Sequence, residues 1–268
     1  MKNYLKTHFA DFGITSIGVA PCPSPDASMP FFRSHSVIVC LFPYPSTTYP
    51  NSNLAKYTYF SDYHLLIKAH LNLVGRHIGE RYADFQYIAH TDTGPFDDRK
   101  LAYNAGLGFY GLNGCLINEA YGSWFLIGYL LTNHILPLDT PLNKSCRRCG
   151  KCIEACPGKA ITADRGFEIS RCKSYLTQKK GALNPAEIAI IKKTALVFGC
   201  DTCQDVCPHN TATTYNCLEE FRTDILHTIH YEDLADLSQK DFRRRYGNRA
   251  FSWRGKNILL RNLEYLQK

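Results

Sequence analysis

Hydrophobic positions form two kinds of pattern in the first 140 residues, continuous runs and a helical repeat. Residues 16–20 and 36–42 are short, nearly continuous apolar runs, which are typical of buried strands. From 62 to 79 the apolar side chains recur every three or four positions, which predicts an amphipathic helix. The apolar stripe of that helix consists of Tyr63, Leu66, Ile67, Leu71, Val74 and Ile78. This part of the chain therefore combines strands and helices.

Turn residues mark the remaining predicted elements. Residues 85–89 predict a strand, and 98–105 predict a short helix that is stopped by Gly106 and Gly108. Two further strands are predicted around a turn at 121–122, and four further helices along the chain. These strands are at 114–118 and 123–132, and these helices at 1–13, 185–197, 234–246 and 256–266.

A proline-rich linker at 136–141 divides the sequence. The predicted fold class is α+β, with an α/β domain at 1–141, a cysteine-rich domain at 142–212 and a short helical segment at 213–268. The longest apolar run, 124–131, is much shorter than a membrane span, so no membrane association is expected. The N-terminus lacks the apolar core and cleavage site of a signal peptide, which predicts a cytoplasmic location.

The twelve cysteines are the strongest chemical signal in the sequence. The first run reads Cys146-x2-Cys149-x2-Cys152-x3-Cys156-Pro157, which is the spacing of bacterial two-cluster ferredoxins. In that arrangement three thiolates bind three irons of one [4Fe–4S] cube, and the fourth cysteine binds the other cluster. Zinc is the alternative, but zinc motifs usually come as separated CxxC pairs. The run therefore predicts a ferredoxin-like domain with two [4Fe–4S] clusters.

The second run, Cys200-x2-Cys203-x3-Cys207-Pro208, is one ligand short, because Val197 stands where the pattern would place a cysteine. Crossed ligation assigns four cysteines to the first cluster, namely Cys146, Cys149, Cys152 and Cys207. The second cluster then has Cys156, Cys200 and Cys203 and needs one more thiolate. Cys172 is the favoured candidate, with Cys115 and Cys217 as alternatives. With Cys172 as the ligand, four cysteines are spare and are expected to be small buried hydrophobes. They are Cys22, Cys40, Cys115 and Cys217.

The charge of +7 is unevenly distributed. Residues 240–268 contain nine Lys or Arg against two acidic residues. Such a segment suits a polyanion such as RNA, and it is equally typical of a solvated helix surface.

Motifs outside the cysteines resemble the epoxyqueuosine reductase family, in order, from about residue 14 to residue 263. The resemblance is carried by Asp92-Thr93-Gly94-Pro95 with Arg99, Ala105-Gly106-Leu107-Gly108-Phe109 with Asn113, Tyr121-Gly122-Ser123-Trp124, Arg171-Cys172-Lys173-Ser174-Tyr175-Leu176-Thr177, Gly199-Cys200-Asp201-Thr202-Cys203-Gln204, and Ser252-Trp253-Arg254-Gly255-Lys256 with Arg261-Asn262. Many members continue into helical HEAT-like repeats, whereas this sequence ends soon after Asn262, so a short form is expected.

The resemblance implies an enzyme with cobalamin and two [4Fe–4S] clusters that reduces epoxyqueuosine to queuosine at the wobble position of tRNA. It implies a cobalamin-binding α/β domain ahead of the cluster domain, and it agrees with Cys172 as the eighth cluster ligand. Asp92 would give a proton to the epoxide oxygen. The implied cobalamin contacts are Asp92, Arg99, Gly108, Asn113, Leu116, Ser123, Ser174 and Asp201. The implied tRNA contacts are Lys180, Arg254, Lys256 and Arg261.

The chemistry of epoxide opening fits these residue types. Cob(I)alamin supplies a strong reductant at carbon, and the clusters supply electrons singly. A carboxylic acid serves best at oxygen when a mostly closed pocket raises its pKa, which is the expectation for Asp92. His64, His70 and His77 are expected to be surface or packed residues and not ligands.

The partners expected from this interpretation are the anticodon stem-loop of tRNA and an electron donor such as a flavodoxin or ferredoxin, with the chain acting as a monomer. Three alternatives stay open. They are a cobalamin and iron–sulfur reductase of a small molecule, similar to a dehalogenase; a two-cluster electron-transfer protein without cobalamin; and an RNA-binding factor whose clusters are structural.

Overall fold

A computed structural model of the chain describes residues 2–24, 32–164, 166–211 and 217–267. The beginning of the predicted C-terminal segment, 213–216, lies outside the described residues. The helices are α1 (Lys2–Asp11), α2 (Tyr63–Arg81), α3 (Asp98–Asn104), α4 (Lys151–Ala155), α5 (Lys173–Leu176), α6 (Pro185–Ile191), α7 (Thr202–Asp205), α8 (Glu232–Ala235), α9 (Gln239–Tyr246) and α10 (Lys256–Gln267). The strands are β1 (Ser16–Pro21), β2 (Ser36–Pro43), β3 (Tyr87–Thr91), β4 (Phe109–Tyr110), β5 (Leu116–Ile117), β6 (Phe125–Thr132), β7 (Ile161–Thr162) and β8 (Gly166–Phe167).

A four-stranded antiparallel sheet in the order β1-β2-β6-β3 forms the centre of the N-terminal part. Every residue of β2 is buried, as its continuous apolar sequence predicts. Helix α2 packs on one face of the sheet, where a side chain at Gly128 would lie 2.5 Å from Ile67. Five of the six residues in the predicted stripe of α2 are buried, and Leu66 packs half-buried against the same core.

Several predicted boundaries differ from the observed ones. Strand β3 lies two residues later than expected, so Asp92 follows directly after it. Strand β5 pairs with β4 and not with β6. The helix expected at 185–197 ends at Ile191. The helix expected at 234–246 is two helices, because the Ser238 side chain accepts a hydrogen bond from Asp241 N and begins α9 anew.

One hydrophobic core crosses the predicted domain boundaries. Leu5 and Ile67 from the N-terminal part share it with Phe198, Phe221 and Leu259. The division into three domains stays a prediction, and the shared core shows that the C-terminal segment is part of the same packing unit as the sheet. No helix in the described ranges is long and apolar enough to cross a membrane.

Candidate functional site

Three cysteines that are close in sequence and a fourth from a distant position line one small cavity at the start of α4. They are Cys146, Cys149, Cys152 and Cys207, the set that crossed ligation predicts for the first cluster. The chain turns tightly here, with left-handed backbone at Arg148 (φ 51°) and Gly150 (φ 80°). The turn lets three sulfurs that are close in sequence face the fourth, which comes from the far end of the cysteine-rich stretch.

The predicted second set is also brought together. Cys156 packs with Ala160 and Ile161, and Cys172 and Cys203 pack half-buried against the same small cluster, as does Cys152 of the first set. Burial raises the pKa of the Cys200 thiol to about 11, and the nearby Cys203 adds to this effect. Thiols in such a setting ionise when a metal takes the sulfur, which suits an iron–sulfur site.

The three candidates for the missing ligand differ in their surroundings. Cys172 lies close enough to Cys203 and Cys156 for their charges to raise its pKa, after burial as the main cause. Cys115 also lies beside Cys203, whereas the Cys217 sulfur accepts a hydrogen bond from Arg222 Nε at 3.0 Å. These surroundings disfavour Cys217, and the choice of Cys172 over Cys115 stays a prediction.

The spare cysteines were only partly predicted. Cys22 and Cys40 are buried, as expected, whereas Cys115 and Cys217 are half-buried. In the described part of the chain, no three His, Cys, Asp or Glu side chains converge on a single metal ion. A tetrahedral zinc ion holds its thiolates at about 2.3 Å from one centre, whereas a cube of iron and sulfide keeps them farther apart.

Asp92 stands between two adjoining cavities of about 430 Å³ and 380 Å³. The residue has a left-handed backbone (φ 55°), and its N–H donates to Asp98 Oδ2 at 2.6 Å. Both cavities are lined by Tyr63, Asp92, Arg99, Phe125, Leu126 and Ile127. Cavities of this size and mixed polarity are typical of cofactor and substrate sites.

His64 bridges two carboxylates at this site. Its Nδ1 lies 2.7 Å from Asp62 Oδ1, and its Nε2 lies 3.0 Å from Asp92 Oδ2. Asp62 is the N-cap of α2 and also accepts from the backbone N–H of His64. Tyr63 stacks on the imidazole at 4.0 Å and donates its hydroxyl hydrogen bond to Asp92 Oδ2.

These contacts decide where the proton resides. Burial disfavours a charged His64, but hydrogen bonds to Asp62 and Asp92 outweigh it and raise the pKa of His64 to about 9. The hydrogen bond from His64 lowers the pKa of Asp92. The expectation of a raised pKa in a closed pocket is therefore wrong for this structure, in which the Asp92 side chain is 60% exposed. The imidazole carries the proton at neutral pH.

The other predicted cobalamin contacts fall into two groups. Arg99, Leu116 and Ser123 line the 380 Å³ cavity together with Asp92. The structure does not place the remaining four on its wall. They are Gly108, which packs against Leu116 and Ile117; Asn113, beside the first cluster cavity; Ser174, in α5; and Asp201, which is 3% exposed.

Asp201 nevertheless has an unused atom. Its Oδ2 accepts from the backbone N–H of Lys56 at 2.8 Å, and its buried Oδ1 has no hydrogen-bond partner. Nine residues that line the 380 Å³ cavity were missed, because they come from several segments and only spatial proximity identifies them. They are Tyr44, Tyr57, Tyr63, Cys115, Phe125, Leu126, Ile127, Gln178 and Gln204.

The predicted tRNA contacts also differ from one another. Lys256 Nζ donates to the carbonyls of Leu234, Ala235 and Leu237 at the end of α8. Arg261 donates to the carbonyl oxygens of Leu176, Lys179 and Gly181. Both side chains thus serve the fold, and their RNA contacts stay predictions. Lys180 is exposed, and Arg254 lies over the Trp253 ring at 3.7 Å.

Two protein-family models match the sequence in the regions just described. Residues 24–93 match the model described as epoxyqueuosine reductase QueG, DUF1730, and residues 145–210 match the 4Fe-4S double cluster binding domain. An epoxyqueuosine reductase of Staphylococcus aureus is 31% identical over 272 residues, covering 98% of this chain and 71% of the relative. The chain belongs to the epoxyqueuosine reductase family. The family prediction and the prediction of a two-cluster domain are thereby confirmed.

Other relatives extend the comparison. An epoxyqueuosine reductase of Lactococcus garvieae is 38% identical over 82% of this chain, and the match covers 62% of that protein. In the next relative, from Listeria monocytogenes, the covered share is 53%, so the chain spans between half and two thirds of these relatives.

Solved structures show the same fold. The structure of the family member from Streptococcus thermophilus has a TM-score of 0.83 and 25% identity, over 99% of this chain and 80% of that one. A family member solved with an epoxyqueuosine-modified tRNA-Tyr stem loop has a TM-score of 0.85 at 24% identity, with the same shares of coverage. A catabolic reductive dehalogenase shares the fold more distantly, with a TM-score of 0.55 over 96% of this chain and 37% of that one.

Proposed function

We propose that this chain is an oxidoreductase that reduces epoxyqueuosine to queuosine in tRNA, using cobalamin and two [4Fe–4S] clusters. One observation carries the proposal: in a member of this family, Asp92, which is in contact with His64, lines an open cavity that also reaches Cys115, beside the cluster cysteine Cys203. Acid, cavity and electron carriers therefore adjoin one another.

The cluster cysteines fit their cofactor. Cys146, Cys149, Cys152 and Cys207 would hold the first cluster, and Cys156, Cys172, Cys200 and Cys203 the second. The shared cavity of the first set and the shared packing of Cys156, Cys172 and Cys203 support this assignment.

The residues around Asp92 fit cobalamin. Arg99, Leu116 and Ser123 would line it directly, and Asp201 would offer its unpaired Oδ1. Gly108 would contribute indirectly by leaving room for Leu116, because a side chain at 108 would meet Leu116 Cγ at 2.9 Å. Asn113 and Ser174 would contribute through the cluster loops next to them. When bound, cobalamin would supply a strong reductant at carbon.

The chain's own residues supply the proton. Asp92 would donate it to the epoxide oxygen, and His64, which carries a proton at neutral pH, would replace it through the 3.0 Å contact. Exclusion of water from the cavity would raise the pKa of the Asp92 carboxyl group and move the shared proton toward it.

Cations at or near the surface suit the phosphates of a tRNA stem-loop. Lys180 and Arg254 are the predicted contacts that remain available in the structure. An electron donor such as a flavodoxin or ferredoxin would reduce the clusters, and the chain would act as a monomer in the cytoplasm.

The deciding experiment incubates the protein with epoxyqueuosine-containing tRNA, cobalamin and a low-potential reductant under anaerobic conditions, followed by nucleoside analysis. We expect queuosine from the wild type and no turnover from Asp92→Asn, with iron content and cobalamin absorbance unchanged in the variant. If the protein binds no cobalamin, the electron-transfer alternative stands instead. If it binds cobalamin but leaves epoxyqueuosine intact, the small-molecule reductase is favoured.

A further inference from the structure

Trp253 is unusual among the aromatic residues of the described chain because its ring is both exposed and held in place. The residue is 58% exposed. The Arg254 guanidinium covers part of the indole at 3.7 Å, and the indole N–H donates to Gln178 Oε1 at 3.1 Å. An exposed tryptophan that is fixed by two polar neighbours presents a rigid flat surface to solvent.

This surface has polar and basic surroundings. A cavity of about 220 Å³ beside Trp253 is lined by Arg243 and Arg254 and by polar groups of Gln239, Ser252 and Asn257. The last turn of α9 carries the three arginines Arg243, Arg244 and Arg245. Arg244 and Arg245 are paired with Asp241 and Asp233. An apolar protein partner would leave Arg243, Arg254 and the amides of the cavity without partners, whereas a nucleotide satisfies such groups with its phosphate and base edges.

Gln178 connects this surface to the reaction site. Its Oε1 accepts from Trp253, its Nε2 donates to the Ser174 carbonyl at 3.1 Å, and its side chain lines the cavity of Asp92. Gln178 thus contacts the exposed indole and also forms part of the wall of the Asp92 cavity.

We propose that Trp253 is a stacking platform for an unpaired base of the RNA substrate, next to the nucleotide that enters the Asp92 cavity. The proposal rests on the proposed function for the identity of the RNA. Aromatic rings bind unpaired bases by stacking, with Arg adding a cation–π contact and a phosphate contact. The platform would fix how far the loop enters, so that the reacting nucleoside reaches Asp92.

The test measures the affinity of labelled anticodon stem-loop RNA for the cluster-containing protein over a range of salt concentrations. We expect Trp253→Ala to weaken binding about tenfold to a hundredfold without changing the salt dependence, because stacking releases no counterions. Trp253→Phe should keep most of the affinity. Phe167→Ala, which removes another exposed aromatic ring, is the matched control and should bind like the wild type.

An abasic substitution at each loop position then identifies the stacked base. At one position the abasic RNA should bind the wild type weakly and lose nothing further with Trp253→Ala. Equal binding by wild type and Trp253→Ala would overturn the proposal, as would a Phe variant as weak as the Ala variant.

The reduction of epoxyqueuosine is measured separately, so the two proposals fail independently. Trp253-dependent binding without any reduction would contradict the proposed function and leave the platform intact. If Trp253→Ala reduces epoxyqueuosine at the wild-type rate and binds the RNA with wild-type affinity, the platform is contradicted and the proposed function is supported.

Discussion

The shared proton of His64 and Asp92 is the central feature at the residue scale. Asp62 and Asp92 place two negative oxygens on opposite sides of one imidazole, at 2.7 Å and 3.0 Å. The same site contains Tyr63, Asp98 and Arg99, and burial raises the pKa of Asp98 to about 6. In the proposed reaction the proton would therefore reside on the His64 nitrogen and reach the substrate through the Asp92 oxygen.

His64→Gln should lower kcat about tenfold to a hundredfold at pH 8, because general acid catalysis contributes on this order or more. The pKa of His64 is raised, so the imidazole loses its proton only above about pH 9, and wild-type kcat should be stable up to that pH and fall beyond it. In the variant the fall should move to acidic pH, where an ordinary aspartate deprotonates. The measurement is the pH dependence of kcat in single-turnover reactions.

His70→Gln is the control for this experiment. His70 lies on the same helix and pairs with Glu220 at 3.0 Å, outside the site. Its removal should leave the pH profile unchanged. A wild-type profile in His64→Gln would show that Asp92 takes its proton directly from water.

The eighth cluster ligand gives a second prediction at this scale. Cys172→Ser should reduce the iron of anaerobically purified protein from about eight to about four per chain, because two [4Fe–4S] clusters hold eight irons. Cys115→Ser and Cys217→Ser should keep both clusters. Iron and sulfide analysis checks this, and iron loss in Cys115→Ser alone would reassign the ligand.

At the scale of elements, the clearest lesson comes from the C-terminal helices. Lys256 begins α10 and ties it to the last carbonyls of α8, while Arg261 ties α10 to the chain around Gly181. Cations near a helix C-terminus compensate unpaired carbonyls. The basic character of this segment therefore contributes to packing as well as to charge.

Lys256→Met should lower the free energy of unfolding by about 2 kcal/mol, because several carbonyls lose a charged donor. Lys180→Met, at an exposed position, should leave stability unchanged and weaken tRNA binding. Denaturant unfolding and RNA titration of both variants separate the two roles. A loss of RNA affinity in folded Lys256→Met would restore the predicted tRNA contact.

Sequence alone predicted the strands and helices better than it predicted which strands pair and which side chains meet. The runs around β1 and β2, the stripe of α2 and the cysteine spacings follow from local periodicity, and the structure confirms the strands and helices. Strand pairing escaped prediction, as with β5 and β4, because register depends on long-range contacts.

His64 was missed as a site residue because Asp92, which binds its Nε2, is 28 positions away. Lys256 and Arg254 are both basic residues of one motif, and only the folded chain shows that Lys256 binds backbone carbonyls while Arg254 lies over the Trp253 ring.

At the scale of the whole molecule, one core joins the sheet to the C-terminal helix. Leu259 of α10 is fully buried with Phe221 and with Ile67 of α2. Such continuity predicts cooperative unfolding of the N-terminal and C-terminal parts.

Leu259→Ala should cost about 2–5 kcal/mol, and amide protons of α2 and β2 should lose protection together with those of α10. Leu138→Ala, at a half-exposed position, is the control and should have little effect. Hydrogen exchange read by mass spectrometry checks both. Protection that is lost in α10 alone would show that the predicted domain boundary at 213 is real.

The turn before Ser123 is pressed against the segment that follows Cys207. A methyl group on Gly122 would come within 2.0 Å of Asn210 Oδ1 and 2.8 Å of the His209 carbonyl, and the Asn210 side chain also accepts from Ser123 N at 2.7 Å. A side chain at 122 would therefore push Ser123, which lines the Asp92 cavity, away from the segment that follows Cys207. Under the proposed function, glycine at 122 therefore keeps the wall of the Asp92 cavity close to the clusters that would supply its electrons.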